Sequence, residues 1–530
     1  MKKPSLPDIP ESERTPVINM LLKVIEYQAE MIDNLSSEVD NLKSEVKRLK
    51  NHPKRPKIKP SKMDKKDPSK NSDLNNKKRA GSSKRKKTEK LKIDKEETIE
   101  AEDVPANAVF KGYDQYVVQE LEIKCVNTKY KLARWKLDDG RYLVAQLPEN
   151  IRNFHFGPFL RCFAVYQYHH LCVTQPLLLA QLRELGIDIS SGQLNRLLVE
   201  NKDEFHQEKD AILQTGLSVS NYINIDDTGA RHQARNGYCS HIGNEFFAWF
   251  KSTASKSRIN FLELLRAGYN DYCVNADALD YMKKQRLPAA SYNALSNHQG
   301  TFQDSLSWIT HLEKSNITTA RHIKIATEGA LIGSVLSHGF NVDLAIVSDD
   351  AGQFNIFKHT LCWIHAERKI NEINPVSNEN ALEIDDVRQR FWTLYDNLKL
   401  YKENPKSELK IKLSNEFDSL FNTKTKFYNL KQVLNRLSKN KSELLLVLDR
   451  PELPLHNNLS ERDIREYVKR RKVSGGTRSD EGQLCRDTFA SLKKTCLKLK
   501  IAFWDYLLDR VNGQNKIPPI SDLILLAAAK

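Results

Sequence analysis

The chain has 530 residues, 28% charged and 40% hydrophobic, enough for several domains and at least one large core. Its 83 Lys and Arg residues against 68 Asp and Glu give a net charge of +15, which favours a polyanionic partner such as nucleic acid. The eight cysteines form no C-x-x-C pair, which argues against a disulfide framework. No signal-peptide core and no apolar run of about 18 residues is present, so we expect a soluble, cytoplasmic protein without a membrane contact.

Apolar residues recur with heptad spacing over residues 18–49, and nine of the ten a and d positions are apolar. The a positions are β-branched and most d positions are Leu, which favours a parallel two-stranded coiled coil. Gln28 is the polar exception and would help to fix the register. We expect a coiled coil over residues 15–50 through which the chain self-associates. An amphipathic helix packed on its own globular domain is the alternative.

A strongly basic stretch follows the heptads. Residues 51–92 contain 17 Lys and Arg against 4 Asp and Glu, with few aromatic residues. One interpretation is a solvated, disordered linker over residues 51–100. The other is a cationic arm that releases counterions from nucleic acid. The two interpretations are compatible.

Residues 108–150 have the composition of a small β-rich segment. We expect three short strands there, with a turn at Asp138, Asp139 and Gly140. Cys125 stands alone in this segment, so it cannot form a zinc ribbon.

Residues 155–215 are expected to be helical and to contain a helix-turn-helix-like pair. The first helix of the pair ends at a tight turn around Gly186, and the second begins after Ser190 or Ser191. This spacing would present three polar side chains of the second helix to DNA: Gln193, Asn195 and Arg196. A helical hairpin in an ordinary core is the alternative.

Acidic residues follow ordered elements at three distant places. The stretch 220–228 (SNYINIDDT) predicts a strand that ends with Asp226 and Asp227, and the stretch 344–350 (LAIVSDD) predicts a buried strand followed by Asp349. A helix over residues 457–472 would carry Glu461 in its first turn. Three carboxylates that converge from distant elements are what a magnesium-dependent phosphoryl-transfer site requires.

Each acid also has a structural explanation. Asp226 or Asp227 would start an Asx turn, and Asp349 or Asp350 would cap a following helix. Glu461 would close a capping box with Asn458. A zinc site formed by His359, Cys362 and His365 has suitable ligand types, but the spacing spreads them around a helix and provides no fourth ligand, so we expect no zinc.

The segments around the acids predict an α/β core. A hairpin around Gly243 and Asn244 and a helix over residues 258–268 follow the first acidic strand, which fits the start of a ribonuclease-H-like fold. We expect insertions at residues 270–340 and, mainly helical, at 375–450. Pro451 and Pro454 would break the chain before the Glu461 helix.

Five motifs resemble the DDE transposases of the insertion sequence 66 family. In chain order they are IDDTG at 225–229, SDDAGQF at 348–354, LCWIHAERK at 361–369, NNLSERDIREYVKRRK at 457–472 and SLKKTCLKLKIAFWDYL at 491–507. The coiled coil, the basic linker and the helical insertion fit the same family. One departure is that many relatives carry a cysteine-paired segment after the linker, where this chain has only Cys125.

The resemblance implies the roles of the acids. It places the catalytic, metal-binding residues at Asp226, Asp349 and Glu461, holding two Mg²⁺ ions for which Mn²⁺ would substitute. It implies DNA contacts for a set of basic residues near the second and third acids: Arg368, Arg462, Arg465, Arg471 and Lys472. Its implied partners are DNA (the element ends and the target), a second copy of the chain, and accessory proteins of the same element.

The expected fold class is multidomain α/β, with a ribonuclease-H-like catalytic core formed by residues 217–370 and 450–510. Large helical insertions interrupt this core, a helix-turn-helix-like region and an N-terminal coiled coil precede it, and a C-terminal tail at 511–530 follows it. The expected function is metal-dependent 3′-end cleavage and strand transfer. The alternatives are a nuclease of the same fold without strand transfer, and an inactive DNA-binding relative.

Overall fold

A computed structural model describes residues 15–18, 20, 21, 24, 25, 28, 31, 32 and 91–529, apart from 101, 104, 106 and 153. The described positions from 16 to 32 are helical, including heptad positions 18, 21, 25, 28 and 32. The later heptads and the basic residues 51–90 lie outside the described residues. Within the described ranges, no helix is both long enough and apolar enough to cross a bilayer.

One small hairpin is present before the helical region. Strands β1 (Arg134–Lys136) and β2 (Tyr142–Val144) pair antiparallel, and the turn between them contains Gly140 at φ +84°. The prediction of three strands is wrong, because residues 113–132 form no strand. Apolar side chains there, such as Val118 and Ile123, are exposed and have no surface on which to bury a strand face.

Four helices follow, and the second and third form the predicted pair. They are α1 (Pro158–Val165), which continues into a π-helical turn (Tyr166–His170), α2 (Gln175–Glu184), α3 (Ser191–Val199) and α4 (Asp203–Val219). Gly186 turns the chain after α2 at φ +81°. Ser190 caps α3, since its side chain accepts from the Gln193 N–H at 3.2 Å while the Gln193 side chain accepts from the Ser190 N–H at 2.9 Å.

Strands and helices alternate over the next part of the chain. They are β3 (Tyr222–His232), β4 (Arg235–Gly243), β5 (Ala248–Thr253), α5 (Arg258–Leu265), β6 (Tyr272–Val274), α6 (Ala276–Lys284), α7 (Ala289–Asn297), β7 (Gly300–Phe302), α8 (Ser305–Lys314), α9 (Ala320–Ser337), β8 (Ala345–Ser348) and β9 (Lys358–Leu361).

The remainder is helical. The helices are α10 (Trp363–Asn371), α11 (Asn378–Glu403), α12 (Ser407–Phe421), α13 (Tyr428–Lys439), α14 (Lys441–Leu444), α15 (Asn458–Ser474), α16 (Asp480–Lys498), α17 (Phe503–Val511) and α18 (Ile520–Ala528), with a 3₁₀ turn at Leu446–Leu448.

A five-stranded mixed sheet in the order β5–β4–β3–β8–β9 forms the centre. β3, β4 and β5 make an antiparallel meander, and β8 and β9 add in parallel on the other side of β3. Strand β3 does not end near Thr228 as predicted but runs to His232. It continues because a tight turn at Gln233 and Ala234 leads directly into β4.

Each face of the meander is covered by different helices. Ile223, Ile225 and Ile242 face the main core, which also contains residues of α5 and α9. The other face contacts α15 through Ile464 and Tyr467. Alternating side chains of β3 therefore enter two different environments.

Residues 361–455 have a second hydrophobic core of their own. Phe391, Phe417 and Leu434 of α11, α12 and α13 are buried in it together with Trp363 at the start of α10. The Trp363 indole donates to the carbonyl of Leu444 at 2.9 Å within this core. The Thr360 hydroxyl of β9 donates to the carbonyl of Glu443 at 2.9 Å, which ties this helical segment to the edge of the sheet. The predicted helices between residues 380 and 445 are present.

Candidate active site

Asp226 and Asp227 lie in the middle of β3, and strand alternation directs them to opposite faces of the sheet. Asp226 pairs with His241 on β4, and directly opposed side chains share a face. His241 Nδ1 lies 2.6 Å from Ser460 Oγ on α15, so Asp226 faces that helix. On the other face, Gln353 Nε2 donates to Asp227 Oδ2 at 3.2 Å. The alternative in which one of these acids starts an Asx turn is wrong, because the strand continues through both.

The second pair of acids follows β8 and lies beside the first. The parallel register pairs Asn224 with Val347. Asp349 comes directly after β8, which ends at Ser348, and its charge acts on the Asp226 carboxyl. The structure therefore brings these two carboxylates to one place from stretches more than a hundred residues apart.

Asp349 and Asp350 have different partners. Asp349 Oδ1 accepts the N–H of Ala351 at 3.1 Å, and among the described residues Asp349 makes no ion pair. Asp350 Oδ2 pairs with Lys369 of α10 and, at 2.5 Å, with Arg436 of α13. The alternative in which one of them caps a helix is wrong, because the chain passes through a loop into β9. Asp349 is the acid with carboxylate oxygens open to a further ligand.

Glu461 lies in the first turn of α15, as predicted. The capping-box alternative is wrong, because no side chain caps this helix and its N-cap residue is Asn457. Glu461 Oε1 lies 3.6 Å from His365 Nε2 and, in the part of the chain that is described, it is buried without a hydrogen-bond partner. An unsatisfied buried carboxylate oxygen is costly, so it indicates a ligand or a cation at this place.

The acids act on one another electrostatically. Burial raises the pKa of Asp226 to about 7; the N–H of Asp227 opposes this, and the nearby charges of Asp349, Asp227 and Glu461 add to it. Burial also raises the pKa of Asp227. The structure thus places Asp226, Asp349 and Glu461 close enough for their charges to repel.

The donor set fits a divalent cation in chemistry and charge. Carboxylate oxygens are the ligands that Mg²⁺ prefers, and a cation would relieve the repulsion that raises the pKa of Asp226. Glu461 Oε1, which belongs to this set, is buried without a hydrogen-bond partner among the described residues. Yet within the same residues no group of three or more His, Cys, Asp and Glu side chains is already arranged to hold a metal ion. Binding therefore requires the side chains to converge further.

The histidines and cysteine considered for zinc do not share a helix. His359 lies on β9, where its ring contacts Ser348 Oγ at 2.8 Å, and Cys362 precedes α10. The prediction of one helix that holds His359, Cys362 and His365 is wrong, because residues 358–361 pair with β8 and α10 begins only at Trp363. His365 Nε2 lies 3.6 Å from a candidate acid, Glu461 Oε1.

The residues predicted for DNA contact differ in their surroundings. Asn195 and Arg196 are exposed on α3, while the Gln193 side chain is engaged in the α3 cap. Of the five basic residues predicted for DNA contact by the family resemblance, four are exposed: Arg368, Arg462, Arg465 and Lys472. The fifth, Arg471, is partly buried and donates to the carbonyl of Gly229 on β3.

Sequence reasoning missed the residues that hold α15 against the sheet. Asp463 accepts from Lys498 Nζ at 2.8 Å and lies 3.3 Å from His241 Nε2. Burial opposes ionisation of Asp463, but hydrogen bonds and charges from His241 and Lys498 outweigh it and hold the pKa of that carboxyl below its usual range. Asn457, just before α15, is 1% exposed and contacts β3. Only the proximity of Asp463 and Asn457 to Glu461 in the sequence would have indicated them.

Comparison with known proteins identifies the family. The family model described as "Transposase IS66 family" matches residues 320–484, which include Asp349 and Glu461. A protein of Sinorhizobium fredii (strain NBRC 101917 / NGR234) named "Uncharacterized protein y4jO" is 40% identical over 322 residues, which are 60% of this chain and 100% of that protein. The chain belongs to the IS66 family of transposases.

Proposed function

We propose that the protein cleaves the 3′ ends of its insertion sequence and joins them to target DNA, in a metal-dependent phosphoryl transfer. The main support for this proposal is that Asp226, Asp349 and Glu461 lie close together. Their charges interact although they come from distant parts of the chain, and the pKa of Asp226 is raised to about 7. Perturbed acids that gather at one place are typical of a catalytic site.

The fold proposed for this site is ribonuclease-H-like. Three antiparallel strands followed by two parallel strands on the other side of β3 support it. Asp226 lies on the first strand of the meander and Asp349 follows the strand added next to it. The helix that carries Glu461 returns to this sheet after the separate helical core of residues 361–455.

Asp226, Asp349 and Glu461 would hold Mg²⁺, two ions in the expected arrangement, with Mn²⁺ as a substitute. When bound, these ions lower the pKa of the attacking water or 3′-hydroxyl and stabilise the departing oxygen. Asp227 is kept out of this set by its position on the opposite face, and Asp350 by its ion pairs with Lys369 and Arg436. The sheet and α15 fix the directions from which the three carboxylates approach the reacting phosphate.

DNA would lie against the exposed basic side chains near the acids. Arg462 and Arg465 are one and four residues beyond Glu461 and share the solvent-facing side of α15, and Arg368 is exposed on α10. Their charges suit phosphate contacts, which position the duplex without reading its sequence. Asn195 and Arg196 on α3 would provide a further contact, and accessory proteins of the element would act with this chain.

Pairing of two protomers through the N-terminal helix would let both element ends be processed together. Leu21, Ile25 and Ile32 are helical heptad positions, and each is exposed. Burying such an apolar stripe against a second copy of the chain is the usual way to stabilise it.

A cleavage-and-joining assay on labelled DNA that carries the flanks of the gene tests the proposal. We expect Mg²⁺-dependent 3′ nicks and joined product with the wild-type chain. Both should be lost in EDTA and in the Glu461→Gln variant, while the gel shift of the same DNA is retained. Nicks without joined product, under conditions where both ends are present, would replace this proposal by the nuclease alternative. Nicking that survives Glu461→Gln would contradict the site assignment.

A further inference from the structure

We propose that Asn457 is a positioning residue that holds the three acid-bearing segments together, so that the carboxylates can converge on a metal ion. This inference rests on the proposed function of the acids. Asn457 is 1% exposed and lies just before α15, four residues ahead of Glu461.

The side chain of Asn457 binds the strand that carries Asp226. Its Nδ2 donates to the carbonyl oxygen of Ile225 at 2.7 Å. Its Oδ1 accepts from Asn224 Nδ2 at 2.8 Å. The first of these bonds reaches the residue next to Asp226, so the start of the Glu461 helix is tied to β3 at the site itself.

The backbone of Asn457 reaches the segment of the second acid, Asp349, through Cys362. The Asn457 N–H donates to Cys362 Sγ at 3.2 Å, and the Cys362 N–H donates to the Ser348 carbonyl at 3.0 Å. Ser348 directly precedes Asp349. One hydrogen bond therefore links Asn457 to the segment of Asp226, and two in series link it to the segment of Asp349. Glu461 lies one helical turn beyond Asn457.

Only an amide suits this position. Asparagine supplies both a donor for the Ile225 carbonyl and an acceptor for the Asn224 amide. Aspartate would lose the donor and add a buried negative charge beside three acids. Alanine would leave both buried groups unsatisfied and free the start of α15 to shift.

The test measures Mn²⁺ binding to the full-length protein, by electron paramagnetic resonance of the unbound ion, alongside the joining assay. The variant is Asn457→Ala. The matched control is Asn244→Ala, because Asn244 is 2% exposed and lies in a turn without contact to the acids. Like Asn457, its amide both donates and accepts: it donates to Ser220 Oγ at 2.7 Å and accepts from the Phe246 N–H at 2.9 Å.

We expect Asn457→Ala to weaken Mn²⁺ binding about 10- to 100-fold, as loss of a residue that orients metal ligands does. Joining should fall with it and recover in part when Mn²⁺ is raised, while DNA binding is unchanged. The control should bind Mn²⁺ as the wild type does. Wild-type Mn²⁺ affinity in Asn457→Ala would overturn the inference, even if the wild-type chain joins DNA.

The two proposals fail in different ways. A wild-type chain that binds Mn²⁺ without joining DNA, with binding weakened in Asn457→Ala, would support the positioning role and contradict the joining activity. A wild-type chain that binds no Mn²⁺ would overturn both. If Asn457→Ala does not fold, Cys362→Ala removes the thiol acceptor of the Asn457 N–H, which also accepts from the N–H groups of Ile364 and His365 at the start of α10. Unchanged Mn²⁺ affinity in that variant would overturn the inference.

Discussion

The two aspartate pairs of this protein, Asp226–Asp227 and Asp349–Asp350, look alike in sequence and are separated by different physical means. In the first pair, strand alternation directs one carboxylate toward α15 and the other toward the opposite face. In the second pair, both acids lie in a loop, and ion pairs with Lys369 and Arg436 occupy Asp350. In the first pair, strand geometry makes Asp226 the acid that faces α15. In the second pair, the cations that neutralise Asp350 leave Asp349 as the acid without an ion pair among the described residues.

The largest difference in joining rate should lie between separate substitutions of the two acids of the first pair. Asp226→Asn should lower the joining rate about 10³-fold or more, because a metal ligand contributes about 4 kcal/mol or more to the transition state. Asp227→Asn should cost about tenfold or less, because its asparagine still accepts from Gln353. Single-turnover joining measures both, with DNA affinity as the control. Equal losses would show that the faces of β3 do not distinguish the pair.

The next effect is on the Mn²⁺ concentration that half-saturates the site, which should depend on pH. With the pKa of Asp226 raised to about 7, an ion that binds below pH 7 must displace a proton. The half-saturating Mn²⁺ concentration should therefore rise about tenfold for each pH unit from 7 to 5 and become constant above pH 8. Mn²⁺ titrations at fixed ionic strength measure it. A flat profile from pH 8 to pH 5 would contradict the raised pKa.

A smaller effect is expected from the second pair. Asp350→Asn leaves Lys369 and Arg436 without their shared anion, which should disturb the loop next to Asp349 and slow joining about tenfold. Arg436→Gln should change the rate less than about twofold, because Lys369 remains paired and the Arg436 side chain is 60% exposed. A loss in Asp350→Asn as large as in Asp349→Asn would mean that Asp350 is itself a ligand.

A separate effect, which does not involve catalysis, is on stability without metal. A carboxyl whose pKa is raised on folding binds its proton more tightly in the folded state, so stability falls as pH rises from about 4 to 7 and the cost is complete above that range. Asp226→Asn should therefore stabilise the metal-free protein by about 2 kcal/mol at pH 8 and by about zero at pH 4.

The corresponding substitution in the second pair should change stability in the opposite direction. Asp350→Asn should destabilise the protein at pH 8, because it removes the partner of two cations. Urea denaturation of both variants in EDTA measures the two effects. If both substitutions stabilised the protein, repulsion among the acids would govern both pairs, and the pairing of Asp350 with cations would not be a separate mechanism.

The sequence allowed the elements around the acids to be predicted where local pattern decides structure. Alternating apolar residues indicated β3, a continuous apolar run indicated β8, and Gly243 and Asn244 indicated the hairpin. A proline-containing break indicated the start of the Glu461 helix. The end of β3 was missed because its turn uses Gln233 and Ala234, both at positive φ, where such a turn usually contains Asn-Gly. The nearest Asn-Gly pair, Asn236-Gly237, lies inside β4, so that signal falls three residues past the actual turn.

Elements that depend on distant pairing were harder to predict. Residues 358–361 form β9 only because β8 offers them a partner edge, and their own sequence leads smoothly into α10. The roles of Asn457 and Cys362 depend on contacts with residues about a hundred or more positions away. Periodicity carries no information about such contacts, although it places Glu461 correctly.

The most direct test of the account is to map where a bound metal ion lies, without DNA or accessory proteins. The full-length protein would be loaded with Fe²⁺ in place of Mg²⁺, and hydroxyl-radical cleavage of its own backbone would be located by mass spectrometry. We expect cuts near Asp226, Asp349 and Glu461 that Mg²⁺ suppresses and that are lost in Asp226→Asn but retained in Asp227→Asn. Cuts confined to other segments, or cuts that survive Asp226→Asn, would contradict the assignment of these three acids to one metal site.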